Sequence, residues 1–136
     1  MTKTWLITGA TSGLGLEMAQ QLLAEGHTVI ATARRPDALA QLGRDHPARL
    51  HVVQLDLVDP DSIISAVDDA FERHDQIDVI VSNAGYGLFG AAEEITTAQI
   101  DRQIATNLAG SIHLIRAVLP HLRRQGSGRI VQVSSE

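Results

Sequence analysis

The amino-acid sequence predicts an α/β protein with a doubly wound parallel sheet, in one domain that spans residues 1–136. Two observations carry this prediction. Short apolar runs alternate with segments of helical periodicity along the whole chain, which is typical of parallel strands connected by helices. A glycine-rich turn also joins the first apolar run to the first helical segment, and open sheets of this class bind ligands at the carboxyl ends of their strands.

The first half of the chain predicts three strands and two helices between them. Residues 5–8, 28–33 and 50–55 are apolar or β-branched, and these compositions favour strands. Residues 37–43, which follow Pro36, predict a short helix. The longer helix ends near Gly26, and its apolar face contains Leu16, Ala19, Leu22 and Leu23.

The second half predicts two more strands, residues 77–82 and 129–134, each preceded by a helix. Asp59 and Pro60 are typical of a helix start, because a carboxylate caps the free N–H groups and proline suits the first helical position. We expect that helix to present Ile63, Ile64, Val67, Ala70 and Phe71 on one face. A long amphipathic helix before the fifth strand is marked by Ile100, Ile104, Leu108, Ile112, Ile115, Leu119 and Leu122.

Composition excludes several classes of protein. The net charge of −5 argues against a nucleic-acid-binding surface, which needs a basic stripe. The chain has no cysteine, so it forms neither a disulfide nor a thiolate metal site, and its six histidines show no metal-binding spacing. No apolar run approaches the ~20 residues of a membrane helix, and the residues after Met1 do not resemble a signal peptide. We therefore expect a cytoplasmic protein without a metal or membrane partner.

The turn from Thr8 to Gly15 is the first candidate binding site. Its three glycines, spaced Gly-x-x-x-Gly-x-Gly, allow the backbone to bend tightly and to approach a ligand closely. The helix that follows offers free N–H groups and the positive end of its dipole, which suit a pyrophosphate. The alternative is a glycine-rich turn without a ligand.

The end of the second predicted strand bears on the choice of dinucleotide. NAD enzymes place an acidic residue ~20 positions past the glycines, where it binds a ribose hydroxyl. This sequence has Arg34 and Arg35 there instead. A guanidinium group matches a phosphate and would attract the 2′-phosphate of NADP(H), so we predict a preference for NADP(H) over NAD(H). Two solvated arginines at a strand end are the alternative.

Four short motifs, taken in order, resemble those of the short-chain dehydrogenase/reductase family. The glycine turn is the first, and Asn83-Ala84-Gly85 closes the fourth predicted strand. Asn107 lies inside the long helix, and Ser134-Ser135 ends the fifth strand. The resemblance implies a Rossmann-like sheet with strand order 3-2-1-4-5, and an oxidoreductase that moves hydride between NADP(H) and a small-molecule alcohol or carbonyl substrate.

The resemblance also implies roles for individual residues. Asn107 would bend its helix and hold a water in a proton relay, and Ser135 would position the substrate carbonyl. Tyr86, Leu88 and Phe89 are candidates to line a substrate pocket or, alternatively, form a packed loop. Residues implied in cofactor binding are Gly9, Thr11, Ser12, Gly13, Leu14, Gly15, Arg34, Arg35, Asp56 (adenine amino group), Leu57 (adenine ring), Asn83, Ala84 and Gly85.

One family feature is missing from these residues. The family uses a tyrosine with a lysine four positions later, shortly after the serine, whereas this chain stops at Glu136. Its only tyrosine, Tyr86, is followed four residues on by Gly90, and its only lysine is Lys3. We therefore expect the cofactor-binding portion of an enzyme, without the later strands and helices and inactive alone. The full-length form is expected to be a homo-oligomer. The alternatives are a non-catalytic NADP(H)-binding or interaction module that ends naturally at residue 136, and a damaged gene product.

Overall fold

The protein is an α/β structure with one five-stranded sheet. The computed structural model describes residues 1–135; Glu136, the last residue of the predicted domain, lies outside them. Every strand pair is parallel, and the order β3-β2-β1-β4-β5 confirms the prediction. The elements are β1 (Thr4–Ile7), α1 (Gly13–Ala24), β2 (Thr28–Ala33), a 3-10 turn (Pro36–Leu39), α2 (Ala40–Asp45), β3 (Leu50–Gln54), α3 (Pro60–Arg73), β4 (Val79–Ser82), α4 (Thr97–Ile104), a π turn (Ala105–Ala109), α5 (Gly110–Gln125) and β5 (Arg129–Gln132).

The sheet separates two apolar cores, because successive residues of a strand point to opposite faces. In β1, Leu6 belongs to the core that α3 and α5 cover, and Ile7 belongs to the core that α1 covers. Both side chains are almost fully buried. Burying an aliphatic side chain of this size contributes about 1.5–3 kcal/mol. Helices on both faces make the sheet doubly wound, as expected.

β4 is shorter than its apolar run suggests. Ile77 is buried, yet its backbone bonds to a side chain and not to a neighbouring strand. Gln125, at the end of α5, accepts from the Ile77 N–H at 3.0 Å and donates to the Ile77 carbonyl at 3.0 Å. Backbone bonds to the neighbouring strands therefore begin only at Asp78, and β4 itself begins at Val79.

α3 begins as predicted, since an Asp59 carboxylate oxygen accepts from the N–H of Asp61 at 3.0 Å. Its buried face contains Ile63, Val67 and Ala70. The expectation that Ile64 shares this face was wrong, because its side chain is 51% exposed. Ile64 lies one residue from Ile63, about 100° around the helix, and so falls at the margin of the apolar stripe.

The long helix is divided into α4, the π turn and α5, which confirms the expected distortion at Asn107. Its apolar stripe does not form the core as a whole. The first four members, Ile100, Ile104, Leu108 and Ile112, are 42–59% exposed. The core is instead contacted by Gly110, Ser111, Leu114 and Val118. α5 continues through Pro120 and ends before Gly126, which has φ of +76°.

No helix within residues 1–135 is long and apolar enough to cross a membrane.

Candidate functional site

A cleft of about 790 Å³ lies where the carboxyl ends of the strands meet. The glycine turn and α1 form one wall, and α4 forms the other. Its lining contains most of the residues predicted for cofactor binding: Gly9, Thr11, Ser12, Gly13, Leu14, Arg34, Asp56, Leu57, Asn83, Ala84 and Gly85.

The glycine turn packs so closely against the loop after β4 that side chains do not fit. Gly9 has φ of +70°, and a Cβ there would lie 2.8 Å from the Cα of Ala84. A Cβ on Gly15 would collide with the Gly9 carbonyl oxygen, so Gly15 supports the turn from beneath and does not line the cleft. Gly13, with φ of +56°, has open space around it on the cleft side.

Thr8 and Asn83 hold the turn in place. The Thr8 hydroxyl accepts from the backbone N–H groups of Asn83 and Ala84 at 3.0 and 3.1 Å. In return, the Asn83 amide donates to the carbonyls of Thr8 and Gly9, each at 3.2 Å. Asn83 thus fixes the turn and does not simply end its own strand. Thr8 was identified from sequence only as the first residue of the turn.

The amino end of α1 opens onto the cleft without a competing group. Ser12 precedes the helix in an extended conformation, its side chain makes no capping bond, and the first turn holds no acidic residue. The first helical bond runs from the Leu16 N–H to the Ser12 carbonyl at 3.3 Å, so earlier N–H groups have no helical acceptor. Free N–H groups and a positive helix end suit an anion.

Arg34 and Arg35 differ in their relation to the cleft. Arg34 lines it and is exposed, and its carbonyl accepts from the Gln54 side chain at 3.3 Å. Within residues 1–135, no carboxylate oxygen lies within 4.0 Å of its guanidinium nitrogens. Arg35 is also exposed but lies outside the cleft lining, directly before the 3-10 turn. Only Arg34 of this pair therefore brings positive charge into the cleft.

Asp56 and Leu57 form the floor of the cleft beyond β3. The Asp56 N–H donates to the Ser62 hydroxyl at 3.1 Å, and one Asp56 carboxylate oxygen accepts from the Val58 N–H at 3.1 Å. The second carboxylate oxygen remains able to accept a bond. Leu57 is buried, and its carbonyl oxygen would lie 2.8 Å from a Cβ on Gly110.

The two residues predicted to be catalytic lie outside the cleft lining. The Asn107 side chain bonds the backbone of Tyr86 twice, accepting from its N–H at 3.0 Å and donating to its carbonyl at 2.8 Å. Ser135 follows the end of β5 and is exposed, whereas Val133 lines the cleft.

Other side chains reach the cleft without having been predicted for the cofactor. Tyr86 and Leu88 line it, but Phe89 does not and is 94% exposed. The opposite wall contributes Gln99 and Arg102 from α4 and Thr106 from the π turn. No local sequence pattern distinguishes these three polar residues from an ordinary solvated helix face.

Comparison with known proteins decides the family. The family model described as short chain dehydrogenase matches residues 3–136. The chain belongs to the short-chain dehydrogenase family. This agrees with the resemblance inferred from the four motifs.

Among short-chain dehydrogenases and related oxidoreductases, the chain is similar to oxidoreductase BOA17 of Botryotinia fuckeliana. The two are 43% identical over 136 residues, which is 99% of this chain and 50% of that protein. A short-chain dehydrogenase from Streptomyces avermitilis is 40% identical with a TM-score of 0.91, over 98% of this chain and 49% of the other. A metagenomic short-chain oxidoreductase in complex with NADP is 31% identical with a TM-score of 0.90, over 98% and 62%.

The chain thus spans about half the length of the curated short-chain dehydrogenase relatives that it matches. What is similar is the part that carries the sheet, the glycine turn and the cleft.

Proposed function

We propose that this chain is the cofactor-binding portion of an NADP(H)-dependent short-chain oxidoreductase that acts on an alcohol or carbonyl substrate. One observation carries the proposal: the glycine turn, the open amino end of α1 and the unpaired guanidinium of Arg34 all face one cleft. NADP bound to the metagenomic relative, and NADPH bound to an actinorhodin polyketide ketoreductase that is 32% identical, support it.

The residues present fit a dinucleotide along the length of the cleft. The N–H groups after Ser12 would hold the pyrophosphate, with Gly9, Thr11, Gly13 and Leu14 beside it and Gly15 beneath. Arg34 would bind the 2′-phosphate, with Arg35 adding a weaker, more distant attraction.

The adenine and nicotinamide ends would contact the floor of the cleft and the loop after β4. The free oxygen of Asp56 would accept from the adenine amino group, and Leu57 would contact the ring. Asn83, Ala84 and Gly85 would lie beneath the cofactor. When bound, the cofactor supplies or accepts the hydride.

Asn107 and Ser135 would position other groups of the site. Asn107 fixes the backbone of Tyr86, which lines the cleft, and would also hold the relay water that the family resemblance implies. Ser135 would position the substrate carbonyl. Reduction of a carbonyl also requires a proton on the developing alkoxide. General acid–base catalysis of this kind increases the reaction rate by about 10²- to 10⁴-fold.

Residues 1–136 include no Tyr-x-x-x-Lys pair to supply that proton. We therefore propose that these residues bind cofactor but turn over substrate very slowly by themselves. A second candidate is a non-catalytic module that binds NADP(H). Nucleotide binding is common to both candidates, and carbonyl reduction separates them.

The direct test is to measure dissociation constants for NADPH and NADH with the parent protein, Arg34→Gln and Arg116→Gln. Arg116 is exposed on α5 and lies outside the cleft lining, so it is a matched control for charge. We expect NADPH to bind the parent more tightly than NADH. Arg34→Gln loses a charged hydrogen-bond partner, so its affinity for NADPH should be about tenfold or more lower than that of the parent. Its affinity for NADH should be nearly unchanged. Equal affinities in the parent, or tighter NADH, would contradict the preference.

A further inference from the structure

The α4 wall of the cleft carries a cation that the proposed function does not use. Arg102 lines the cleft and is exposed. Like Arg34, its guanidinium group has no carboxylate oxygen within 4.0 Å in the part of the chain that the structure describes. Its charge is therefore available to a ligand in the cleft.

The helix spacing shows which end of the cleft Arg102 faces. Thr106, which also lines the cleft, follows Arg102 by four residues, and Gly110 follows Thr106 by four. Residues four apart lie on one face of a helix, and the i→i+5 bonding of the π turn preserves that alignment. Gly110 is the residue pressed against Leu57. The face that bears Arg102 is therefore continuous with the one that rests on the floor of the cleft at Leu57.

The opposite end of the cleft is held by a different face of the same helical segment. Asn107 bonds both backbone groups of Tyr86, and the Gln103 amide donates to the Tyr86 carbonyl at 3.4 Å. Arg102 is one residue before Gln103, so it points about 100° away from the side that holds Tyr86. The spacing therefore places Arg102 nearer to the helix face that contacts Leu57 than to the face that holds Tyr86.

Resting on the proposed function, we infer that Arg102 is a further nucleotide-binding residue, whose guanidinium group packs against the adenine ring. Arg102 precedes Gly110 by eight residues, or about 12 Å along the axis at about 1.5 Å per residue. Arg102, Asp56 and Leu57 all line the same cleft of about 790 Å³, which has room for a base. A planar guanidinium stacks on an aromatic ring, whereas the Asp56 carboxylate serves the edge of the same ring.

This contact has a signature different from that of Arg34. The adenine ring is common to NADPH, NADH and adenosine, and adenosine carries no phosphate, so loss of Arg102 should weaken the binding of all three by the same factor. Loss of Arg34 should weaken NADPH selectively. Arg102→Lys keeps the charge but loses the plane, and should recover only part of the affinity.

The experiment measures dissociation constants of NADPH, NADH and adenosine for the parent, Arg102→Gln, Arg102→Lys, Arg34→Gln and Arg116→Gln, after thermal melting without nucleotide confirms that each variant is folded. We expect Arg102→Gln to weaken all three ligands about three- to tenfold and Arg116→Gln to change none. Arg102→Gln values equal to those of Arg116→Gln would overturn the inference, and so would a loss for NADPH or NADH that leaves adenosine unchanged, which would indicate a phosphate contact. Either result leaves the proposed function standing if the parent binds NADPH. A parent that binds no nucleotide overturns both.

Discussion

At the scale of single residues, the glycines fall into two physical groups. Gly9 combines φ of +70° with a space that a Cβ would fill, because Ala84 approaches within 2.8 Å. Gly43 lies within α2 and has nothing within 4 Å of its absent Cβ. The first glycine is required by a close approach of two backbones, whereas the second only raises the conformational entropy of the unfolded chain.

Substitution by alanine should therefore have opposite effects at these two positions. Gly43→Ala should raise the free energy of unfolding by about 0.5–1 kcal/mol, because alanine favours the helix. Gly9→Ala should lower it by more than about 1 kcal/mol, because the residue must leave a left-handed conformation and displace Ala84. Urea denaturation at one pH measures both. A Gly9→Ala protein as stable as its parent would show that the turn does not depend on this contact.

Thr8 offers a second test at residue scale. Its hydroxyl accepts two backbone N–H groups, and Thr8 itself is 1% exposed, so Thr8→Val would leave both donors without a partner in a site closed to water. Each unsatisfied group costs about 1–3 kcal/mol. We expect Thr8→Val to destabilise the protein strongly and to weaken NADPH binding, and Thr8→Ser, which keeps the hydroxyl, to restore most of both. Equal behaviour of the two variants in melting and binding would refute the role of the hydroxyl.

The sequence could predict some of these residues but not others. Gly9 and Arg34 were identified because a turn and the end of a strand are local features with local patterns. Thr8 was not assigned its role because its partners, Asn83 and Ala84, lie 75 and 76 positions away. Arg102 was missed because its position in the cleft depends on how α4 packs above Leu57. Contacts between segments that are distant in sequence cannot be predicted from the spacing of residues along the chain.

At the scale of elements, the end of α3 is sensitive to pH. His74 follows the last helical residue, where a cation would ordinarily interact favourably with the helix dipole. Its pKa is nevertheless lowered from 6.5, first by burial and then by the positive charges of His51 and Arg73. The His51 and His74 rings meet edge to face, with centroids 4.8 Å apart. Burial and like charge therefore outweigh the dipole.

This shift determines the direction of a stability change. Because the folded protein binds the His74 proton more weakly than the unfolded chain does, the contribution of His74 to folding is complete above pH 6.5 and is lost as the pH falls below that value. Urea denaturation between pH 5 and 8 measures the effect. We expect His74→Gln to flatten this part of the profile relative to the parent.

His51→Gln is the informative companion variant. This variant removes the positive charge of His51, which is a smaller cause of the lowered His74 pKa than burial. Because burial remains, the loss of stability on acidification should be reduced without disappearing. If the His74→Gln profile runs parallel to that of the parent, another group is responsible for the acid sensitivity of this region.

Periodicity predicted the existence of the elements better than their buried faces. All five strands and the major helices were recovered, since alternating apolar runs report directly on strands and helices. The long helix shows the limit of the method. Its stripe from Ile100 to Ile112 was expected to be its buried face, but the sheet is covered by a different face, which contains Gly110 in close contact with Leu57.

At the scale of the whole molecule, the strand order followed from the family resemblance and was confirmed. The alternation of strands and helices predicted a parallel doubly wound sheet, and right-handed crossovers leave few orders open for five strands. What neither pattern nor resemblance established is how the surface of the molecule is used. That surface includes an exposed apolar stripe formed by Ile100, Ile104, Leu108 and Ile112.

We expect this stripe to mediate self-association of the protein. The four side chains repeat every four residues along one helical segment, so they form a continuous ridge and not scattered apolar positions. Contiguous exposed apolar surface of this kind marks association sites, because burying it against a second copy removes it from water. Light scattering should then give a mass above the 14.6 kDa of a single chain, decreasing on dilution.

A pair of substitutions tests whether the stripe itself is responsible. Ile104→Glu with Leu108→Glu places two carboxylates in the centre of the ridge, where association would bury them without partners, so the mass should fall to that of one chain. Ile64→Glu is the matched control, since Ile64 is 51% exposed, as is Ile104, but lies alone on α3. If Ile64→Glu lowers the measured mass as much as the double variant does, association is nonspecific and does not depend on this surface. If the parent is already monomeric at high concentration, a ridge of this size does not hold two copies together, because the free energy gained by burying it is smaller than the cost of fixing one chain against another.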